Sequence, residues 1–192
     1  MTSPTHVLIG LSTTIAFSRL HGIAPSVGEL LMMLLGSLLP DIDVDGAVIS
    51  RPGGVFRRFM PWGVARVLDG FGMIISKTVN LLFGHRGFIH APIIGLAFIG
   101  YGAAIAAPFL FWLGWGYFWH ILGDALTYGG VPLLSPVSAK KYSFRLCRTR
   151  SIRELLLAIA LLFYVVVFGF TLLPEKTKVG FEILRRVAFS HS

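Results

Sequence analysis

The chain has 192 residues, of which 55% are hydrophobic and 14% charged, and its formal net charge is +8. Soluble domains carry roughly 25% charged residues, so this composition argues against an ordinary soluble protein and favours a membrane protein. The single cysteine, Cys147, excludes an internal disulfide and a cysteine-based metal cluster.

Two apolar segments open the chain. The first covers Val7–Leu20, with Ser3 or Thr5 as the expected helix cap, and the second covers Val27–Leu39. A helix that crosses a bilayer needs about 20 residues, and both segments are shorter than that. We therefore expect short helices that are tilted, re-entrant or packed inside the protein.

Three alternating aspartates, Asp41, Asp43 and Asp45, follow Pro40 at the end of the second segment. An EF-hand loop is excluded, because its twelfth position would be Pro52 instead of glutamate. The C-terminal end of a helix is unfavourable for anions. The cluster therefore predicts a bound cation or a basic partner, although solvated loop aspartates would look the same.

Residues 46–90 form the longest polar region. Within it, residues 62–83 show the apolar periodicity of an amphipathic helix, which we expect to lie at the membrane surface or to cap a site. His85 and His90 follow and surround Gly87. Two histidines five residues apart do not share a helix face. The glycine lets the backbone bend, so that both imidazoles could point to one place.

Residues 91–122 are almost continuously apolar, with Pro108 near the middle. The pattern fits either one kinked helix or a hairpin of two helices. His120 and Asp124 end the segment, and their spacing of four places them on one helix face. There they could bind one metal ion, or form a hydrogen-bonded pair inside a bundle.

A basic stretch and a further apolar segment close the chain. Six basic residues lie between Lys140 and Arg153, and residues 155–173 form a charge-free stretch that predicts a transmembrane helix. Basic residues beside such a helix favour lipid headgroups over nucleic acid. We divide the chain into a helical metal-site domain with short membrane helices, residues 1–153, and a C-terminal transmembrane helix with its tail, residues 154–192.

The polar groups converge if residues 91–122 fold back at Pro108. The start of the first helix, the aspartate cluster, the His85–His90 stretch and the pair His120–Asp124 then lie at one end of the bundle. Such polar groups beside membrane segments are usually functional. Nitrogen and oxygen donors without thiolate suit zinc first, with manganese or iron as alternatives, and one or two ions. The expected ligands are His6, Asp41, Asp43, His85, His90, His120 and Asp124.

Basic residues are distributed unequally in this arrangement. Twelve of the 17 lysines and arginines lie on the side of the site and five on the other. The positive-inside rule then places the site in the cytoplasm.

The sequence resembles the YdjM family of bacterial inner-membrane proteins, which are regarded as metal-dependent hydrolases. The matching pieces are the early His6, the run 36–43, the motif His85–His90, and His120-x-x-Gly-Asp124 followed by the run 130–136. Together they extend over roughly residues 1–137. The family motif usually reads His-Arg-Gly-x-Thr-His-Ser, whereas Ile89 and Ala91 replace the two hydroxyl residues here.

The resemblance implies an all-α fold, an integral membrane helical bundle distantly similar to zinc-dependent phospholipase C and nuclease P1. That likeness implies a phosphoester substrate, and the aromatic segment with the amphipathic helix at residues 62–83 would let a lipid-like substrate approach from the bilayer. Asp43 would be the general base, a ligand of a second ion, or a residue that supports the ligands from outside the coordination sphere. Arg86 would hold an anionic substrate oxygen. We expect a multi-pass inner-membrane protein with membrane lipid as partner and no nucleic acid. The alternative is a non-enzymatic membrane protein whose polar site is structural and binds a cytoplasmic partner.

Overall fold

Helices form the whole regular structure of the part of the chain described by the computed structural model, residues 1–44, 47–83 and 87–169. They confirm the predicted all-α class. Two short 3-10 turns, Leu39–Asp43 and Phe88–His90, lie before α3 and before α5. The seven α-helices within these ranges are α1 (Ser3–His21), α2 (Val27–Leu38), α3 (Pro52–Phe56), α4 (Trp62–Phe83), α5 (Pro92–Ala104), α6 (Pro108–Ala125) and α7 (Ile152–Phe168).

The core is a closely packed group of α2, α5 and α6. A Cβ added at Gly36 of α2 would lie 2.0 Å from the carbonyl oxygen of Leu113, and one at Gly116 of α6 would lie 2.0 Å from that of Met33. These two positions therefore admit only glycine, and they let the backbones of α2 and α6 touch. Membrane helices commonly use small residues in this way.

Residues 91–122 form a hairpin, which decides between the two predicted arrangements. α5 ends at Ala104 and α6 begins at Pro108, where the missing N–H of proline is tolerated in the first helical turn. Ala106 in the connection has a φ of 53°, a left-handed conformation that reverses the chain. The end of α6 thus returns to the level of the start of α5.

α1 begins earlier than predicted and uses a different cap. The N-cap is Thr2, not Ser3 or Thr5, and Pro4 lies in the first turn, where proline is favourable. α2 follows the prediction closely. Its capping box joins Ser26 to Glu29, and the helix ends at Leu38, one residue before the predicted end.

Glu154 links the start of α1 to the start of α7 through hydrogen bonds. Its side chain is 2% exposed. One carboxylate oxygen accepts hydrogen bonds from the backbone N–H and the hydroxyl of Thr2, at 2.6 and 3.1 Å, and the other accepts from the backbone N–H of Arg150 at 2.6 Å. These bonds lower the pKa of Glu154 although burial alone would raise it. The carboxylate therefore serves two helix N-termini at once.

Replacing Glu154 by alanine is expected to destabilise the protein by about 2–3 kcal/mol, because backbone donors of both helices lose a charged acceptor in a buried place. The matched control is Glu29→Ala, which removes the acid of an exposed capping box; it should cost about 1 kcal/mol or less. Thermal unfolding of the detergent-purified proteins measures both. Equal losses in the two variants would show that Glu154 does nothing beyond capping α7.

The predicted helix at residues 62–83 is confirmed by α4, which packs against α3 and against the Leu39–Asp43 turn. The short helix α3 was not predicted, because its glycines indicate a loop. Gly53 allows its backbone to approach α4, since a Cβ there would lie 2.0 Å from the carbonyl oxygen of Ala65.

None of the helices in residues 1–44, 47–83 and 87–169 is both long and apolar enough to cross a membrane. The predicted transmembrane segment at residues 155–173 is helical as far as Phe168, and residues 170–173 lie outside the described ranges. The structure thus gives the multi-pass arrangement and the C-terminal transmembrane helix no support. Nothing in it tests the division at residue 153.

Candidate metal centre

Four of the predicted ligands, His6, Asp41, His120 and Asp124, form one buried group. α1 contributes His6 in its first turns, the 3-10 turn after α2 contributes Asp41, and the end of α6 contributes His120 and Asp124 one helical turn apart. One potential ligand atom from each residue lies within 4.8 Å of the others. These residues are at most 7% exposed.

The distances within this group are longer than hydrogen bonds in most cases. Nε2 of His120 lies 3.6 Å from Oδ1 of Asp41 and 4.0 Å from Oδ2 of Asp124. Nε2 of His6 lies 3.3 Å from Oδ1 of Asp124. The rings of His6 and His120 are stacked, with centroids 3.6 Å apart. Donors about 2 Å from a common centre would have separations of this order.

A backbone contact fixes the orientation of His120. Its Nδ1 lies 2.7 Å from the carbonyl oxygen of Ser37, so Nδ1 must carry the proton and donate it. Nε2 then presents its lone pair toward Asp41 and Asp124. A histidine whose other nitrogen donates to a carbonyl is the usual arrangement of a metal ligand. The glycine contacts of Gly36 and Gly116 bring Ser37 within reach of this ring.

His90 and Asp43 lie next to the four-residue group. Nε2 of His90 is 3.7 Å from Oδ2 of Asp124, and its Nδ1 is 4.0 Å from Oδ2 of Asp43. The turn that carries His90 is held by the hydroxyl of Tyr117, which donates to the carbonyl oxygen of Ile89. Both residues are almost fully buried. Six of the seven predicted ligands therefore come together at one end of the bundle.

Two predicted site residues, His85 and Arg86, lie outside the described residues, as does Asp45. Their expected roles stay predictions. The convergence on this end of the bundle is nevertheless confirmed for residues from α1, the Asp41–Asp43 turn, the turn before α5, and α6, and it follows from the hairpin at Ala106.

The electrostatics of the group favour protonation states that bind metal. Burial, together with the neighbouring His120, lowers the pKa of His6 from 6.5 to about 4. Burial acts to raise the pKa of Asp124, but the contacts with His6, His120 and the amino group of Met1 together outweigh it and hold that pKa well below its usual range. The amino group of Met1 also contacts Asp124. At neutral pH His6 is thus uncharged and Asp124 ionised, as metal ligands must be. Burial raises the pKa of Asp41.

The metal-free protein is expected to lose stability as the pH falls from 6.5 to 4. The folded-state pKa of His6 lies below the unfolded value, so in this window the unfolded chain takes up a proton that the folded chain refuses. The shift corresponds to about 3 kcal/mol. The raised pKa of Asp41 has the opposite effect on the pH dependence of stability. A His6→Gln variant is therefore needed to isolate the contribution of His6.

Chemical unfolding at a series of pH values, in the presence of a chelator, measures this effect. His6→Gln should flatten the pH dependence between 6.5 and 4, whereas His21→Gln, at an exposed position outside the group, should leave it unchanged. An unchanged slope in His6→Gln would contradict a buried, neutral His6.

Two supporting residues escaped the prediction from sequence. Ser37 acts through its backbone carbonyl, which no side-chain pattern reveals. Glu154 was not predicted as a supporting residue, although Ser151 and Glu154 have the spacing of a capping box and mark the start of α7.

Comparison with known proteins gives one family. The family model described as YdjM inner membrane protein matches residues 1–184, a range that includes every residue of the group. Inner membrane protein YdjM of Escherichia coli (strain K12) is 30% identical over 159 residues, covering 76% of this chain and 69% of the relative. Inner membrane protein YdjM of Shigella flexneri gives the same values. No solved structure matches the chain, and the expected likeness to phospholipase C and nuclease P1 is unsupported.

Proposed function

The chain belongs to the YdjM family of inner membrane proteins, and we propose that its buried histidine–aspartate group binds a divalent metal ion that serves hydrolysis of a phosphoester or lipid-like substrate. The observation that carries the proposal is the convergence of His6, Asp41, His120 and Asp124, with their ligand atoms within 4.8 Å of one another. The contact of His120 with the Ser37 carbonyl supports it, because it turns Nε2 toward the two carboxylates.

Zinc is the ion that we expect first, because two imidazoles and two carboxylates offer four donors in a small space. Manganese or iron would suit the same donors. When bound, such an ion lowers the pKa of a coordinated water toward 7 and so supplies hydroxide at neutral pH. The group fits this role chemically, since His6 is neutral and Asp124 ionised at that pH.

Asp43 is our candidate for the general base. It lies outside the four-residue group but faces His90, with 4.0 Å between Oδ2 and Nδ1, and it is almost fully buried. A carboxylate there could accept a proton from water without competing for the metal. Equally, Asp43 and His90 could hold a second ion beside Asp124. We retain Arg86 as the candidate for binding a substrate oxygen, on the sequence alone.

A cavity of about 550 Å³ lies between the start of α1 and the start of α7, and none of the four residues of the group lines it. Thr5 lines this cavity, and His6 follows it directly in the chain. The other lining residues are mostly small or apolar, which suits a lipid-like molecule better than a highly charged one. These other lining residues are Thr2, Pro4, Arg150, Ser151, Ile152, Glu154, Leu155 and Ala158.

Burial favours a second candidate function, a non-enzymatic membrane protein with a structural metal or polar site. His6, His90, His120 and Asp124 are all 0% exposed, and structural metal sites are typically closed whereas catalytic sites keep an open position. In this case the metal would hold α1, α2 and α6 together and position a surface for a cytoplasmic partner.

Hydrolysis assays with the detergent-purified protein separate the two functions. We expect cleavage of at least one phosphodiester or phospholipid, its loss on chelation, and its return with zinc. Asp43→Asn should keep the metal and lose activity by about 100-fold or more, the usual share of a general base. Full metal occupancy without hydrolysis of any phosphoester, with a lower unfolding temperature on chelation, would favour the structural function.

Membrane localisation follows from the family, and we place the site on the cytoplasmic side. The unequal distribution of basic residues supports this side. Labelling of a cysteine introduced at the exposed position Ala139, in intact cells and in inverted vesicles, tests it. Reaction only in inverted vesicles is expected, and reaction in intact cells would reverse the orientation.

A further inference from the structure

The amphipathic helix α4 buries its small and polar residues and exposes its large apolar residues. Its small and polar residues face the protein: Ala65 and Ser76 are each 3% exposed, and a Cβ at Gly72 would lie 2.3 Å from the carbonyl oxygen of Ser50. Its large apolar residues face outward, with Phe71 and Ile74 each 64% exposed. The outward apolar face, which we call the α4 face, comprises Val64, Val67, Leu68, Phe71, Ile74, Ile75, Leu81 and Leu82.

Basic residues border the α4 face without matching acids. Arg57 and Arg58 precede α4, and Arg66 and Lys77 lie on it; all four are exposed. Asp69 is the one acid among residues 51–83, and it accepts a hydrogen bond from the backbone N–H of Gly54 at 3.1 Å. The outer surface of this segment is therefore apolar and cationic together.

Tryptophan and arginine also meet at the start of α4. The guanidinium of Arg66 lies 4.5 Å from the centre of the Trp62 ring, and Trp62 is 58% exposed. Tryptophan prefers the boundary between headgroups and acyl chains, where one part of its ring system is apolar and the other wet. This pair belongs to the same surface as the α4 face.

We propose that α3 and α4 dock on an anionic phospholipid bilayer, with the α4 face at the boundary between headgroups and acyl chains. Charge complementarity selects this occupant, because exposed arginines and lysine beside an apolar face match anionic headgroups. Membership of an inner-membrane family points to the same partner. The helix is 22 residues long, so about 33 Å of apolar surface would lie along the bilayer.

This docking places the bilayer beside the metal group. The side-chain amide of Asn80 in α4 donates to the carbonyl oxygen of Asp43 at 3.3 Å, and α4 packs against the turn that carries Asp41. A bilayer bound to the α4 face would therefore lie one helix away from the site. The proposed docking does not depend on the proposed hydrolysis, and each can be tested without the other.

Fluorescence quenching tests the docking on the full chain reconstituted into phosphatidylethanolamine–phosphatidylglycerol vesicles. Cys147 is first replaced by alanine, and a fluorophore is attached at Phe71→Cys or, as the control, at Ala139→Cys, an exposed position outside α3 and α4. Lipids brominated near the headgroup should quench the Phe71 position several-fold more strongly than the Ala139 position. Aqueous iodide should show the reverse order. Replacing phosphatidylglycerol by phosphatidylcholine should weaken the lipid quenching at Phe71 several-fold.

Three results would overturn the docking. Strong iodide quenching at Phe71 would show that the α4 face meets water. Protection at Phe71 from both quenchers would show that protein covers it, either a second copy or another segment of this chain. Equal lipid quenching in anionic and zwitterionic vesicles would remove the role of the basic border.

Discussion

Asp124→Asn is expected to have the largest effect on metal binding, with zinc affinity reduced by at least about 100-fold. Its carboxylate lies 3.3 Å from Nε2 of His6, 3.7 Å from Nε2 of His90 and 4.0 Å from Nε2 of His120, so it is the one acid among the described residues that reaches all three of these imidazoles. Loss of groups that only support metal ligands already costs 10- to 100-fold. Asparagine keeps the shape of the side chain and removes its charge.

Zinc titration against a competing chelator measures this loss. Asp69→Asn is the control, because Asp69 is the acid of α4 and lies outside the group; its zinc affinity should equal that of the unchanged protein. Circular dichroism shows whether Asp124→Asn remains helical. Unaltered zinc affinity in a helical Asp124→Asn protein would remove Asp124 from the ligands and contradict the proposed centre.

Gly116→Ala is expected to have the largest effect on the fold, with a loss of about 3 kcal/mol, at the upper end for overpacking. A Cβ at this position would lie 2.0 Å from the carbonyl oxygen of Met33 and 2.8 Å from the backbone nitrogen of Ser37. Both atoms belong to the backbone of α2 and cannot move aside alone. α2 and α6 must therefore separate, and the Ser37 carbonyl leaves His120.

Thermal unfolding compares Gly116→Ala with Gly100→Ala, in the exposed part of α5, where an added Cβ has nothing within 4 Å. Gly100→Ala should be neutral or stabilising by up to about 1 kcal/mol, since alanine favours helix over glycine. Gly116→Ala should also weaken zinc binding, whereas Gly100→Ala should not. If both variants unfold at the same temperature, the close contact of α2 with α6 is wrong.

The helices were predictable where apolar periodicity and end signals agree. α4 follows its predicted bounds. α2 begins at the predicted residue, where Ser26 and Glu29 form a capping box, and ends one residue early. α3 was not predicted, because the local sequence of Pro52, Gly53 and Gly54 indicates a turn. The packing of α3 against α4, at a place that admits no side chain, explains Gly53, whereas a Cβ added at Gly54 would meet nothing within 4 Å.

The site was predictable as a set of residues but not as a geometry. Histidine and aspartate at the ends of successive apolar segments indicate a polar end of the bundle, and that inference required a chain reversal near Pro108. The sequence left a kinked helix open there, because proline permits both. The left-handed Ala106 decides the matter in the structure, and nothing local marks an alanine for that conformation.

The contacts that orient the ligands could not be predicted from the apolar periodicity of the sequence. The Ser37 carbonyl reaches His120 across 83 positions of the chain, and Glu154 bonds to Thr2 across 152. Such pairs depend on how whole helices pack, which periodicity within one helix cannot specify. Likewise, the exposed apolar face of α4 was foreseen as a surface, while its inward small residues became visible only in the fold.

X-ray absorption spectroscopy of the detergent-purified protein, with its metal content measured on the same sample, tests the proposed centre most directly. We expect one or two zinc ions per chain, surrounded only by nitrogen and oxygen at about 2.0–2.2 Å, with the scattering pattern of coordinated imidazole. A sulfur shell at about 2.3 Å would assign the metal to Cys147. Less than stoichiometric metal after addition of zinc, or a spectrum without imidazole, would likewise contradict a centre built from His6, Asp41, His120 and Asp124.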